Sequence, residues 1–322
     1  MQPITFRPLY MERVWGGREL ERVYHRHLPD RHQPYGESWE IVDREDAQSV
    51  VEEGCFVGTT LHELWNRHRA ELFGDGYADG AERFPLLIKI LDARDDLSIQ
   101  VHPPASIAAS LGGEPKTEMW VIADCVPGAK LYAGLRRGVT REAFERAVAE
   151  GTVAECVHAI EPQPGDSIFI PSGRLHAIGA GFLIHEIQQN SDTTYRVFDW
   201  NRMGLDGKPR ELHVAESMAS IDFADFEPAM DVQCGEVLAE CAHFKTISRR
   251  FAEGGMLANP DAWRFSIVTV IQGSLTSTDG RRFETGASLL LPKAADPLQA
   301  AADTTVLQIT VPERSGGKSC KS

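Results

Sequence analysis

Apolar residues along the chain fall in short runs, many of them alternating with polar ones, and Gly or Pro punctuates nearly every run. Runs of roughly four to ten residues rich in Val, Ile, Leu and aromatics, bounded by turn formers, predict β-strands. They include ESWEIVD (37–43), FPLLIKILDA (84–93), LSIQVHP (97–103), EMWVIAD (118–124), DSIFIP (166–171) and GFLIHEIQQ (181–189). Further on come TYRVFDW (194–200), RFSIVTVIQGSLTS (264–277), ASLLLP (287–292) and TVLQITVP (305–312). Helical periodicity is confined to TLHELWNRHRAELF (60–73) and TREAFERAVAEG (140–151). In the second, Thr140 serves as N-cap, Phe144, Ala147 and Val148 share a face, and Gly151 is the stop, so its role is packing. Many short strands separated by turns predict a mainly β protein, a barrel or sandwich with few helices.

One strand raises a chemical question. In SIQVHPP (98–104), Gln100 and His102 lie two residues apart, so in an extended chain they project to one face while Ile99 and Val101 take the other. An amide and an imidazole on one side of a strand need either water or a partner. An internal echo adds to this. Gly165 to Pro171 and Gly286 to Pro292 each read Gly, five residues, Pro, around an apolar strand. His176 follows the first turn; the aligned place in the second is Pro297. Two related barrels are therefore expected, the first able to hold a metal and the second not. The acidic, Pro-containing stretch SIDFADFEPAM (220–230) marks the boundary: residues 1–225 form a metal-binding catalytic barrel with helical insertions, and 226–322 a second, metal-free barrel ending in a flexible tail.

Composition narrows the function classes. At 322 residues, 42% hydrophobic and 25% charged, the chain is an ordinary folded one, long enough for two units. Its 33 basic against 47 acidic residues leave a net charge of −14, which disfavours nucleic acid and anionic membrane as partners. No run suits a membrane span, and the opening MQPITFRPLYMERVWGG lacks a signal-peptide layout, so a cytoplasmic location is expected. The six cysteines show no C-x-x-C pair and are read as reduced, mostly buried thiols.

Gln100, His102, Glu118 and His176 are the candidate ligands, since imidazole nitrogen with carboxylate or amide oxygen suits zinc and similar divalent ions. The other nine histidines are assigned structural or surface roles. GDSIFIPSGRLH matches the second cupin motif at Gly165, Pro171, Gly173 and His176, with Ala180 where an Asn often stands. SIQVHP, PKTEMWVIAD, PSGRLHAIG and EIQQNSDTTYRVFDW, in that order and together with ERVWGGREL and GESWEIVD, resemble type I phosphomannose isomerase of the short bacterial form, from about Met11 to Trp200.

That resemblance implies a two-barrel cupin (jelly-roll) fold and a zinc-dependent aldose–ketose isomerase that interconverts mannose 6-phosphate and fructose 6-phosphate through an enediolate. It implies one zinc per chain, held by His102, Glu118, His176 and Gln100. Arg196 falls at the family's catalytic arginine, and Lys116 and Glu186 at positions lining its active site. The partner is a small phosphorylated sugar; oligomeric state is not legible. Spacing leaves the base open among Glu186, Lys116, a metal-bound hydroxide and another His. Arg136, Arg137, Arg174 and Arg202 are candidates for a basic rim around phosphate. Two residues depart from the family pattern: Pro104, where Asp is common, and Arg174, which bears on the phosphate subsite. The rival readings are a cupin metalloenzyme with another reaction and a non-catalytic cupin that binds sugar phosphate.

Overall fold

The computed structural model describes residues 1–75, 77 and 81–313; Cys320 and the tail over 314–322, expected to fray, lie outside the described residues. The protein is mainly β with few helices, and its strands form several sheets, none closed into a barrel. Backbone contacts divide the chain into two units, one made of residues 9–39 and 86–231, the other of 1–8, 40–85 and 232–322.

The first unit carries the residues of chemical interest. Its larger sheet orders the strands Leu9–Gly17, Tyr35–Ile41, Leu86–Ala93, Phe182–Gln189, Glu118–Cys125 and Ser167–Ile170. Its second sheet orders Tyr195–Phe198, Ile99–Val101, His176–Ile178, Leu131–Leu135 and Val157–Ile160. The space between them is filled by Leu91, Trp120, Ile122, Ile168 and Ile184 from one sheet and Leu131, Ala133 and Ile178 from the other. Behind the second sheet lies another apolar layer. Ile99, Val101, Leu135 and Val197 pack there with Phe144 and Ala147 of the helix Arg141–Glu150. This helix begins and ends where its sequence places it, with Thr140 Oγ accepting from Ala143 N at 3.2 Å and Gly151 in the left-handed conformation.

In the other unit, the sheet Ile4–Thr5, Ser288–Leu291, Ser266–Gln272, Thr304–Thr310, Lys245–Phe251 and Val237–Glu240 is accompanied by four shorter strands. The expected helix over 60–73 breaks into two. Leu61–Arg67 is α-helical, with Thr60 and Glu63 forming a reciprocal capping box, and Arg69–Phe73 is a wider π turn closed by Gly74 N donating to Arg69 O at 3.1 Å. The change of pitch lets Phe73 meet Trp65, Phe84 and Phe265, with ring centroids 5.0, 5.8 and 5.2 Å away.

The Gly-to-Pro echo has the same hydrogen bonding in both units. Gly165 N donates to Ile122 O at 2.8 Å and Ile122 N to Asp166 O at 2.9 Å; Gly286 N donates to Val270 O at 2.8 Å and Val270 N to Ala287 O at 2.9 Å. Both glycines have positive φ, +94° and +87°, which explains why glycine stands there. The five described cysteines are free thiols, but only Cys156 is buried; Cys55 and Cys234 are exposed because they fall in turns and loops, which corrects the expectation of mostly buried thiols.

On the outer face of the larger sheet, His185 accounts for one of the histidines given a structural role. It is buried, and its Nε2 lies 2.8 Å from the Tyr24 hydroxyl, fastening the short helix Glu19–Tyr24 to the sheet. Burial, with a smaller contribution from the Arg26 cation, lowers its pKa to about 3. The unfolded chain therefore takes up a proton at this residue between about pH 6.5 and about 3 that the folded protein does not, and stability falls as pH drops through that window. Replacing His185 with Gln is expected to flatten the fall by an amount on the order of a few kcal/mol, read from urea unfolding at a series of pH values.

Candidate active site

Strand register assembles the site. His176 pairs with Gln100 across the second sheet, and Gln100 pairs on its other side with Arg196, so three of the sequence candidates form one row. On the larger sheet, Glu186 pairs with Lys89 on one side and Trp120 on the other, and Glu118 pairs with Gln188 one pleat away. The two rows project between the sheets. Glu118 reaches both imidazoles there, its Oε2 lying 3.5 Å from His102 Nε2 and its Oε1 3.6 Å from His176 Nε2.

His102, Glu118 and His176 are each almost completely buried, and one ligand atom from each lies within 4.8 Å of the others. Among the described residues this is the group of His, Cys, Asp or Glu side chains close enough to hold a metal ion. Their second atoms are already committed. His102 Nδ1 lies 2.9 Å from Thr193 O, and His176 Nδ1 lies 2.9 Å from Arg174 O. A carbonyl can only accept, so both rings carry their proton on Nδ1 and turn an Nε2 lone pair toward Glu118, the tautomer in which Nε2 can bind a divalent metal. His102 Nε2 and both Glu118 oxygens are buried without a hydrogen-bond partner. Buried polar atoms are rarely left so. Orphaned nitrogen and oxygen donors converging on one point fit a divalent metal.

Charge supports the same arrangement. Burial drives the His102 pKa down to about 3, helped by the Lys116 cation and opposed by Glu118, so the ring is neutral and able to ligate. His176 is lowered by burial as well. For Glu118, burial works against ionisation, but the Lys116 ammonium 3.0 Å away holds the carboxyl well below its usual range. Gln100 presents its amide nitrogen 3.3 Å from His176 Nε2, while its oxygen accepts from Ser98 Oγ at 3.1 Å. Amide oxygen and nitrogen are placed by their hydrogen bonds, and half a turn of this amide brings the oxygen to the metal side.

Beside the triad opens a cavity of about 520 Å³, lined by Gln100, Lys116, Glu186 and Arg196 among others. All seven sequence candidates therefore lie in one place. The basic-rim candidates do not. Arg174 is paired with Asp225 at 2.8 Å, Arg137 with Glu227 at 3.4 Å and Arg202 with Asp199 at 2.8 Å, Arg136 donates to Glu155 O at 3.2 Å, and none of the four lines the cavity.

Several lining residues went unnoticed in the sequence. Lys89, only 3% exposed, holds Glu186 at 3.3 Å, Glu37 at 3.6 Å and Asp192 at 4.0 Å; burial opposes its charge, but these carboxylates raise its pKa above the ordinary value. Glu37, despite burial, is brought down to about 2 by Lys89 and Arg13. Glu186 goes the other way, because burial and the nearby Glu118 charge outweigh its cations. The signal for Lys89 was a lone lysine inside LLIKILDA.

A mainly β protein whose paired sheets direct a His–Glu–His group and cationic side chains into one cavity defines a cupin-type protein with a candidate metal centre. Residues 4–119 match the model of the phosphomannose isomerase type I catalytic domain, a span that includes Gln100, His102, Lys116 and Glu118. Mannose-6-phosphate isomerase ManA of Bacillus subtilis (strain 168) is 37% identical over 303 residues, 90% of this chain and 93% of that one. The crystal structure of mannose 6-phosphate isomerase from Bacillus subtilis superimposes with a TM-score of 0.85 at 31% identity, covering 97% of this chain and 100% of that one. In fold alone, a mannose 6-phosphate isomerase bound with zinc and yttrium also matches, with a TM-score of 0.73 at 15% identity over 97% and 100% of the two chains. The chain belongs to the phosphomannose isomerase type I family.

Replacing Glu118 with Gln removes the charge that faces both imidazoles. Metal content measured by elemental analysis after dialysis is expected to fall at least about tenfold, with folding retained by circular dichroism.

Proposed function

We propose that this protein is a zinc-dependent aldose–ketose isomerase that interconverts mannose 6-phosphate and fructose 6-phosphate in the cytoplasm. The observation that carries the reading is the convergence of three buried ligand atoms next to a cavity lined by Lys116, Glu186 and Arg196. Membership of an isomerase family supports it, and no helix of the described residues is long and apolar enough to cross a membrane. His102, Glu118 and His176 would hold one zinc per chain, with Gln100 as a further ligand. Zinc bound there supplies a Lewis acid for the sugar's carbonyl and adjacent hydroxyl oxygens.

The chain's own residues have separate tasks. Moving a proton between neighbouring carbons passes through an enediolate, whose negative oxygen needs fixed positive charge. Arg196 and Lys116 present that charge in the cavity. Glu186 is raised in pKa by burial and has one oxygen, Oε1, fixed by Trp120 Nε1 at 3.1 Å. Its Oε2 faces Lys89, and this half-anchored carboxyl is placed to take and return a carbon-bound proton. The second unit, with Pro297 where the first has His176, is assigned a structural and metal-free role.

Turnover of mannose 6-phosphate by purified protein is expected to disappear on chelation and to return with zinc. A fully metallated protein without turnover would defeat the reading. Arg196→Gln is expected to lower kcat by about two to three orders of magnitude with KM changed little, as measured by steady-state kinetics.

A further inference from the structure

The turn over 171–175 joins strand Ser167–Ile170 to strand His176–Ile178 and lies between two of the candidate metal ligands. Gly173 N donates to His102 O at 2.9 Å, and Arg174 O accepts the Nδ1 proton of His176 at 2.9 Å. The turn thus touches the backbone of one ligand and the ring of the other. Other backbone groups in it are committed as well: Arg174 N donates to Pro171 O at 3.1 Å, and Leu175 O accepts from Gly134 N at 2.8 Å.

The side of the turn away from the ligands is held by the acidic segment that follows helix Val214–Ser220. Asp222 N donates to Gly173 O at 2.8 Å. Three residues on, Asp225 takes the Arg174 guanidinium, with Nε donating to Oδ2 at 2.8 Å and Nη2 to Oδ1 at 3.0 Å. Two parallel contacts between a guanidinium and a carboxylate fix direction as well as distance. The third nitrogen, Nη1, donates to Phe169 O at 2.7 Å. The segment is tied down on its own account: Asp225 O accepts from Leu135 N at 2.9 Å, and Asp231 N donates to Ser167 O at 2.9 Å.

An ion pair on the open surface contributes little, because water screens it and two long side chains must be ordered for one contact. This pair is different: its side chains are only 16% and 18% exposed, and all three guanidinium nitrogens are engaged. Arg174 is therefore tethered through its side chain on one side while its carbonyl meets His176 on the other. A displaced carbonyl would free the ring to swing or to change tautomer, and the Nε2 lone pair would leave its place 3.6 Å from Glu118 Oε1. Arg174, Asp222 and Asp225 neither line the cavity nor belong to the ligand group, so their influence on the site runs through this carbonyl and the backbone around it.

We propose that Asp225 is a positioning residue of the metal centre: by clamping Arg174 it fixes the carbonyl that orients His176, and so sets the affinity and geometry with which a metal is bound. The inference rests on the reading of His102, Glu118 and His176 as ligands, and gives the acidic segment a task besides that of a boundary.

The test reads metal binding and needs no turnover. Zinc affinity is measured by competition with a chromophoric chelator, and the visible spectrum of the cobalt-substituted protein reports ligand geometry. Asp225→Ala is expected to weaken zinc by about tenfold, the lower end of what losing a partner of a metal-ligating imidazole costs, and to shift the cobalt spectrum. Asp225→Asn, which keeps one acceptor oxygen without the charge, should lose less. Arg174→Met, which keeps the aliphatic stem, should match Asp225→Ala, and the double variant should cost no more than either single one, since the two side chains act through one contact. Thr140→Ala removes the N-cap of helix Arg141–Glu150 and is the control: it should lower the thermal midpoint while zinc affinity and cobalt spectrum stay as in the wild type. Asp225→Ala and Arg174→Met within about twofold of wild-type zinc affinity, with unchanged cobalt spectra, overturn the proposal. So does a loss of affinity that Thr140→Ala reproduces at equal destabilisation. A wild type that takes up neither zinc nor cobalt overturns the ligand reading, and the proposal with it.

Discussion

A carboxylate taken out of water has to be repaid in charge and hydrogen bonds, and Glu118 sets that condition for the whole site. It is fully buried, with one ammonium and two imidazole nitrogens around it and no hydrogen bond to either oxygen. The imidazoles are held in the ligating tautomer by backbone carbonyls from two different segments, Thr193 and Arg174. Neither carbonyl belongs to a residue chosen for its chemistry. The loop after Phe182–Gln189 and the turn before His176–Ile178 must keep their paths for the site to exist, which ties local backbone geometry to metal affinity.

The sheets meet that demand through alternation. Ile99 and Val101 go to the apolar layer shared with Phe144, while Gln100 between them faces His176 and Arg196. The larger sheet does the same: Lys89 and Glu186 point inward, while Ile90 packs against helix Glu19–Tyr24 and His185 bonds Tyr24 on the outer face. Strands Leu86–Ala93 and Phe182–Gln189 are therefore buried on both faces, apart from Gln189 at the end of the second. A one-residue slip would exchange the two sets, so register is strongly specified.

Periodicity and punctuation were enough for the strands and for the helix after Thr140, because those signals are local. The π turn was invisible, since its cause is the aromatic cluster of Trp65, Phe73, Phe84 and Phe265, drawn from distant sequence. The ligand candidates were legible from spacing and motif. Lys89 and Glu37 were not recognised, because their significance lies in facing each other across strands rather than in any pattern along one. Arg174 misled in the opposite sense: its place beside His176 in sequence suggested a substrate contact, but its guanidinium is taken by Asp225 and Phe169 O, leaving only its carbonyl to serve the site.

The paired glycine turns have a consequence for how such chains are recognised. Gly165 and Gly286 make the same two reciprocal backbone hydrogen bonds, yet one turn leads to His176 and the other to Pro297. The glycine and proline are thus requirements of the backbone's route, satisfied equally by a half with ligands and a half without. If the halves descend from one duplicated ancestor, selection for folding alone was enough to preserve the turn while the imidazole was free to drift. In this chain the glycine marks the backbone's route, and the imidazole beyond it marks the chemistry.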